Sequence, residues 1–331
     1  MNLLDLPNKD RQTTQRKVYI YDPHTYVDKE HELVIGDNLY SLRVLNLDEK
    51  VIEESWIFLM DSFAASNLAF FYPRDRRVAI LKESPIHTRL LDERILAKRF
   101  KLVLTHREDL IEKGKPFRRV DFSTNWALRD KTIRNITKTE LVSFIGNLEH
   151  PQEHGYIFRH EIANKLSERK NVHLYGKGIK FIKFKSEGLV PYCFSIALEN
   201  CRENFYYTEK IIDCFFCDTV PIYWGCPKIG DIFDTRGLIV FETLDELLKI
   251  IEGLSFQKYQ GMLPYVRENK RRCIVYRLDT YENYLSRCIL EVEKFLNYPY
   301  KPIKNWQNSK LMAGIRLFDE RYLRILSEKG K

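Results

Sequence analysis

Apolar positions along this chain gather in short blocks, and the blocks alternate between two periods. Residues 57–60, 78–81 and 102–105 are continuous apolar runs of strand length closed by Pro, His or charge, and 18–21 opens the series before Asp22-Pro23. Runs apolar on both faces suit strands of a parallel sheet covered on each side. Between two of them, 89–100 spaces its apolar residues as a helix does. Residues 128–139 then lose all period and gain charge, which predicts an inter-domain linker. The pattern restarts at 141–145, a strand ending in Gly146-Asn147, followed by a helix over 156–167 and a strand over 172–175 stopped by Gly176-Lys177-Gly178. Residues 192–198 form another apolar run. Thr208 then stands at an N-cap position before Ile211, Ile212, Phe215 and Phe216 at helical spacing, and 219–224 closes on Gly225 and Pro227. A strand over 237–241, an amphipathic helix over 244–251 and a long helix over 281–296 complete the series.

Strands alternating with helices predict an α/β protein of two doubly wound, Rossmann-like domains. The boundaries are 1–135 for the first, 136–300 for the second, and a 301–331 tail packing back towards the first, with 1–16 a polar arm. A chain of 331 residues exceeds one ordinary core, in keeping with two.

Composition adds three restrictions. No apolar run approaches the ~18 residues of a membrane span, and the first residues carry no secretory apolar region. A soluble, cytoplasmic protein is expected, with any membrane contact peripheral. The net charge of +8 favours an anionic partner. Basic clusters such as Lys98-Arg99-Phe100-Lys101 and Arg271-Arg272 are interrupted by acids and come without a nucleic-acid-binding signature, which argues against DNA or RNA. All seven cysteines fall between Cys193 and Cys288, mostly in apolar segments, so reduced, buried thiols are expected. Phe215-Phe216 inside Cys214-x-x-Cys217 makes that pair part of a core rather than a redox couple.

Candidate chemistry centres on the loop between 192–198 and the helix after Thr208. It lies beyond a strand's C-terminal end and against a helix N-terminus, the place where open α/β sheets bind anions. Lys210 is the first cation of that helix and would add full charge to the helix dipole. Glu209 cannot help a phosphate, but it can accept two hydrogen bonds from ribose hydroxyls. Asn200 closes the strand beside the same loop, and Lys177 in its glycine turn is a second phosphate candidate. Residues 78–85 form a buried strand ending in Glu83 before Ser84-Pro85, a carboxylate placed to act as a base.

Glu199-Asn200, Tyr206-x-Thr208-Glu209-Lys210 and Thr219-Val220-Pro221-Ile222-Tyr223-Trp224-Gly225 together resemble the donor-binding segment of the α-1,3/α-1,4-fucosyltransferases, glycosyltransferase family 10, in their soluble bacterial or viral forms. Weaker resemblance reaches back to about residue 140. It implies the GT-B fold, two Rossmann-like domains facing across a cleft. It also puts Tyr206, Glu209 and Lys210 on donor-binding positions, Arg159 on an arginine that meets the diphosphate, and Glu83 on the catalytic position. The implied reaction is an inverting transfer of L-fucose from GDP-L-fucose to a glycan hydroxyl, α-1,3 on N-acetylglucosamine or glucose, with a GDP-sugar and an oligosaccharide or glycoconjugate as partners. The same fold and mechanism with another nucleotide sugar is the alternative; a nucleic-acid-modifying or -binding protein and a glycan-binding protein without catalysis rank below it. No Asp-x-Asp triplet occurs and all eight His lie at or before residue 173. No cofactor is expected to be required, and an accessory Mn2+ or Mg2+ on the diphosphate stays open.

Overall fold

The continuous apolar runs become the central strands of two largely parallel sheets. The computed structural model describes residues 14–22, 30–46, 49, 51, 55–85, 92–131, 136–149 and 154–295. The chain divides into one unit of residues 1–105, 109–120 and 286–331 and a second of 106–108 and 121–285.

The first unit holds strands β1 (Thr14–Tyr21), β2 (Glu30–Ile35), β3 (Asn38–Val44), β4 (Trp56–Met60), β5 (Arg77–Leu81), β6 (Leu102–Thr105) and β7 (Phe117–Arg119). Their order is β2-β3-β1-β4-β5-β6-β7. All neighbours run parallel except β2 and β3, an antiparallel hairpin turned at Gly36, whose φ of 59° suits glycine. The central strands β4 and β5 are buried at every residue, as their continuous apolar sequence requires. The hairpin escapes a reading based on apolar runs because β2, at the sheet edge, mixes buried and exposed positions. Residues 14–16, expected in a polar arm, join β1.

The second unit is the sheet β8 (Glu140–Ile145), β9 (Val172–Tyr175), β10 (Tyr192–Leu198), β11 (Val220–Trp224) and β12 (Ile239–Val240). Its order is β12-β11-β10-β8-β9, parallel throughout. β10 is buried at all seven residues. The 209–216 helix lays Ile211, Ile212 and Phe215 into the same core as Phe194 and Ile222. Each such side chain contributes roughly 1.5–3 kcal/mol of burial. The 256–275 helix was not anticipated: Gly261 and Pro264 lie inside it and its sequence is rich in charge.

The unit boundary differs from the expected 135/136. The chain changes unit at 120/121, and it leaves the second unit again at Ser286 rather than at 300. Part of the charged segment taken for a linker is bound to the second core. The Lys138 ammonium donates to the Cys217 carbonyl at 2.7 Å and to Thr219 Oγ1 at 2.8 Å, and just before the segment the backbone N–H groups of Trp126 and Ala127 donate to the buried Asp213 carboxylate at 2.6 and 2.9 Å. The 301–331 tail lies outside the described residues. Among the described residues no helix is long and apolar enough to cross a membrane.

Candidate functional site

In the second unit, β9 lies on one side of β8 and β10 on the other, so the strand order reverses between β8 and β10. Open α/β sheets leave a crevice outside the carboxyl ends of strands at such a point. The 154–166 and 209–216 helices both start there, following β8 and β10. Their close approach depends on glycine: a Cβ on Gly155 would overlap the Asn200 carbonyl.

Five side chains gather around the end of β10. Glu199 is 0% exposed, and Oε1 accepts the Thr208 N–H at 2.8 Å while Oε2 accepts the Thr208 hydroxyl at 2.7 Å. The Lys210 ammonium donates to Glu199 Oε2 at 3.2 Å and to Thr208 Oγ1 at 3.1 Å. Thr208 also accepts from the Lys210 N–H, the N-cap bond expected from its position. From the other helix, Arg159 donates through Nη2 to the Leu198 carbonyl at 3.2 Å and to Asn200 Oδ1 at 3.0 Å, its guanidinium 4.6 Å from the Tyr156 ring centre. Lys210 and Arg159 are therefore both tied to the consecutive residues 198–200. A lysine, an arginine that is 3% exposed, and the starts of two helices at a switch point are groups of the kind that suit an anion with several oxygens.

Glu209 pairs with Lys185, Oε1 to Nζ 2.8 Å. Burial alone would raise its carboxyl, but the charges of Lys185 and Lys210 outweigh that and hold it far below the usual carboxylate range. It is therefore an ionised acceptor. Lys185 lies 3.2 Å from Asp213 Oδ2 and 4.6 Å from the Trp126 ring centre. Burial would lower its ammonium, but the two carboxylates raise it. Asp213 shifts up through burial, with Lys185 opposing.

The remaining candidates are placed differently. Tyr206 is only 3% exposed, its ring 4.8 Å from that of His106, so it packs inside the loop rather than offering an open surface. Lys177 lies at the neighbouring end of β9, its side chain 69% exposed and its ammonium 3.7 Å from Glu149. Among the described residues it makes no contact with the Glu199 cluster. Glu83 lies in the first unit, just past the end of β5, half-buried, its N–H donating to Asp61 Oδ1 at 2.9 Å.

Sequence reasoning missed three participants. Glu199 was visible only as part of a motif, yet it is the buried acceptor on which Lys210 and Thr208 turn. Lys185 and Asp213 gave no local signal. The Cys214-x-x-Cys217 reading fits the structure: both thiols are free and buried, and burial pushes Cys217 up to about 12.

Residues 136–286 match the family model described as glycosyltransferase family 10 (fucosyltransferase), C-terminal part. An alpha-(1,3)-fucosyltransferase, FucT, of Helicobacter pylori is 33% identical over 112 residues, which are 33% of this chain and 23% of the relative. The matched stretch thus spans under a quarter of that relative's length. Among solved structures, a crystal structure of an alpha1,3-fucosyltransferase with GDP superposes with a TM-score of 0.52 at 18% identity, covering 77% of this chain and 82% of the other. A second alpha1,3-fucosyltransferase crystal structure gives 0.51 at 15% identity, covering 90% and 95%. At these identities the likeness to solved structures is one of fold, and it agrees with the expected α/β class.

Proposed function

We propose that this chain, whose residues 136–286 match the model of glycosyltransferase family 10 (fucosyltransferase), transfers L-fucose from GDP-L-fucose to a hydroxyl of a glycan acceptor with inversion. The observation that carries the reading is the convergence of Lys210 and Arg159 on residues 198–200 at the switch point. The names of the Helicobacter pylori relative and of the GDP-bound structural neighbour support the choice of fucose and GDP.

In this mechanism the diphosphate sits between the starts of the 154–166 and 209–216 helices. Arg159 supplies a planar fork to its oxygens and Lys210 a point charge, and both relieve the negative charge that grows on the leaving nucleotide. Glu199 and Thr208 keep the ammonium at the crevice before the donor arrives. Glu209, ionised and held by Lys185, accepts from ribose hydroxyls. Asn200 orients Arg159, Tyr206 stiffens the loop from within, and Lys177 contributes only long-range charge. Glu83 takes the proton of the acceptor hydroxyl as that oxygen attacks the anomeric carbon from the face opposite the diphosphate. A single displacement inverts the centre and needs no enzyme nucleophile. The acceptor sugar is N-acetylglucosamine or glucose, and the cations named here carry the phosphate charge with or without an accessory divalent ion.

The test is nucleotide release from a panel of GDP- and UDP-sugars with an N-acetylglucosamine-containing acceptor. Release from GDP-L-fucose alone, with an anomerically inverted product, is expected; release from UDP-sugars only would overturn the donor. Glu83→Gln should keep GDP affinity and lower turnover by about 10²-fold or more. Unchanged turnover in that variant would remove Glu83 as the base.

A further inference from the structure

In the first unit, β1 is flanked by β3 on one side and β4 on the other, so that sheet too has a reversal point, between β1 and β4. The residues just past the ends of β1, β4 and β5 are Asp22, Asp61 and Lys82-Glu83. Asp22 and Asp61 are buried, and the Lys82 ammonium is bound to Asp22 Oδ2 at 2.8 Å.

Asp61 is unusual in its backbone. It adopts φ 46° and ψ −117°, a conformation that costs a residue with a side chain on the order of 1–3 kcal/mol. Its carbonyl accepts the Ala64 N–H at 3.0 Å, and its other hydrogen bonds bear on the end of β5. Its N–H donates to the Ile80 carbonyl at 2.9 Å, and its Oδ1 accepts the N–H groups of both Lys82 and Glu83, each at 2.9 Å. The ladder between β4 and β5 ends at the pairing of Met60 with Ile80. Beyond it, the side chain of Asp61 continues the pairing that the backbone has abandoned. Its second oxygen, Oδ2, is buried without a hydrogen bond.

We propose that Asp61 is a positioning residue for Glu83: its carboxylate clamps the two amides of the turn and so fixes where the Glu83 side chain points. This rests on the reading of Glu83 as the base. The charges agree with a built cluster rather than a chance contact. Burial pushes the Asp61 carboxyl up to about 7, Lys82 opposing and Glu83 and Asp22 adding to the rise. The Lys82 ammonium, which burial would lower, is raised by Asp22 and Asp61. Only the acceptor at Oδ1 is needed for the clamp, so an amide can replace the acid.

The full chain should be compared with Asp61→Gly, Asp61→Ala, Asp61→Asn and Glu83→Gln, by steady-state GDP release from GDP-L-fucose and by amide hydrogen exchange at residues 82–83. Asp61→Gly is the informative variant, because glycine suits the backbone conformation while the clamp is lost. The expected result is a fall in kcat of about tenfold or more in the Gly and Ala variants, with donor KM within about twofold, and faster exchange at both amides. Asp61→Asn should restore kcat to within about threefold and restore protection. A folded Asp61→Gly or Asp61→Ala protein with wild-type kcat, beside an inactive Glu83→Gln, would overturn the positioning role. If Glu83→Gln itself keeps turnover, the base reading falls instead, and retained protection at residues 82–83 in Asp61→Ala would then overturn the clamp.

Discussion

Removing the Lys210 ammonium tests the donor site and its internal chemistry together. Lys210→Met leaves Glu199, wholly buried, with the Thr208 N–H and hydroxyl but without its cation. Breaking a buried pair from one side costs about 3–5 kcal/mol, because the remaining charge has lost its solvent and its partner. The Lys210 side chain keeps 22% of its exposure, so the low end of that range, about 3 kcal/mol, is expected. Adding Glu199→Gln removes the orphaned charge. The double variant should therefore be more stable than Lys210→Met alone by about 1–2 kcal/mol, although it carries one more substitution. Urea unfolding of the four proteins closes the cycle, and calorimetric titration with GDP reads the site. Losing one charge-assisted phosphate contact of about 1.5–3 kcal/mol should weaken GDP by roughly 10- to 150-fold in both Lys210 variants. A coupling below about 0.5 kcal/mol would show that the ion pair does not hold the loop. GDP affinity unchanged in Lys210→Met would refute the phosphate role outright.

Two further outcomes follow from the geometry. Gly155→Ala forces a Cβ into the Asn200 carbonyl, a backbone atom that cannot swing away; a loss of about 1–3 kcal/mol in unfolding free energy and weaker GDP binding are expected, and wild-type behaviour in both would deny the close approach. Asp61 should make stability fall as pH rises between about 4 and 7, because over that window the folded protein keeps a proton that the unfolded chain has released. Asp61→Asn removes this term, so its stability relative to wild type should improve from pH 5 to pH 8 by on the order of 1–4 kcal/mol; a difference that does not vary with pH would contradict the buried, raised carboxyl.

Much of the second unit could be read in the chain because its signals are local. Residues 192–198 are apolar without a break, Thr208 is a cap two residues before a lysine, and Gly225 closes a run of β-branched and aromatic residues. Each of these is a preference of a few neighbouring positions, and each became the expected element. The edge hairpin Glu30–Val44 and the 256–275 helix were not legible, since the first has no continuous apolar run and the second carries Gly261, Pro264 and abundant charge.

Local pattern nominated Lys210 and the family resemblance nominated Arg159, but neither could place them at one strand end. Their meeting depends on the order β12-β11-β10-β8-β9, on Gly155 letting one helix approach Asn200, and on a carboxylate at Glu199 that water cannot reach. Lys185 pairing with Glu209, and Asp61 reaching across to the amides of Lys82 and Glu83, are likewise contacts between segments distant along the chain. The amino-acid sequence alone determined the alternation of strands and helices, the capped helix start and the cations near it, because propensity and hydrophobic period act over a few residues. Which buried charge faces which, and how strongly burial and neighbours shift a carboxyl, were decided only by tertiary structure, because desolvation and Coulomb interactions depend on distance in space.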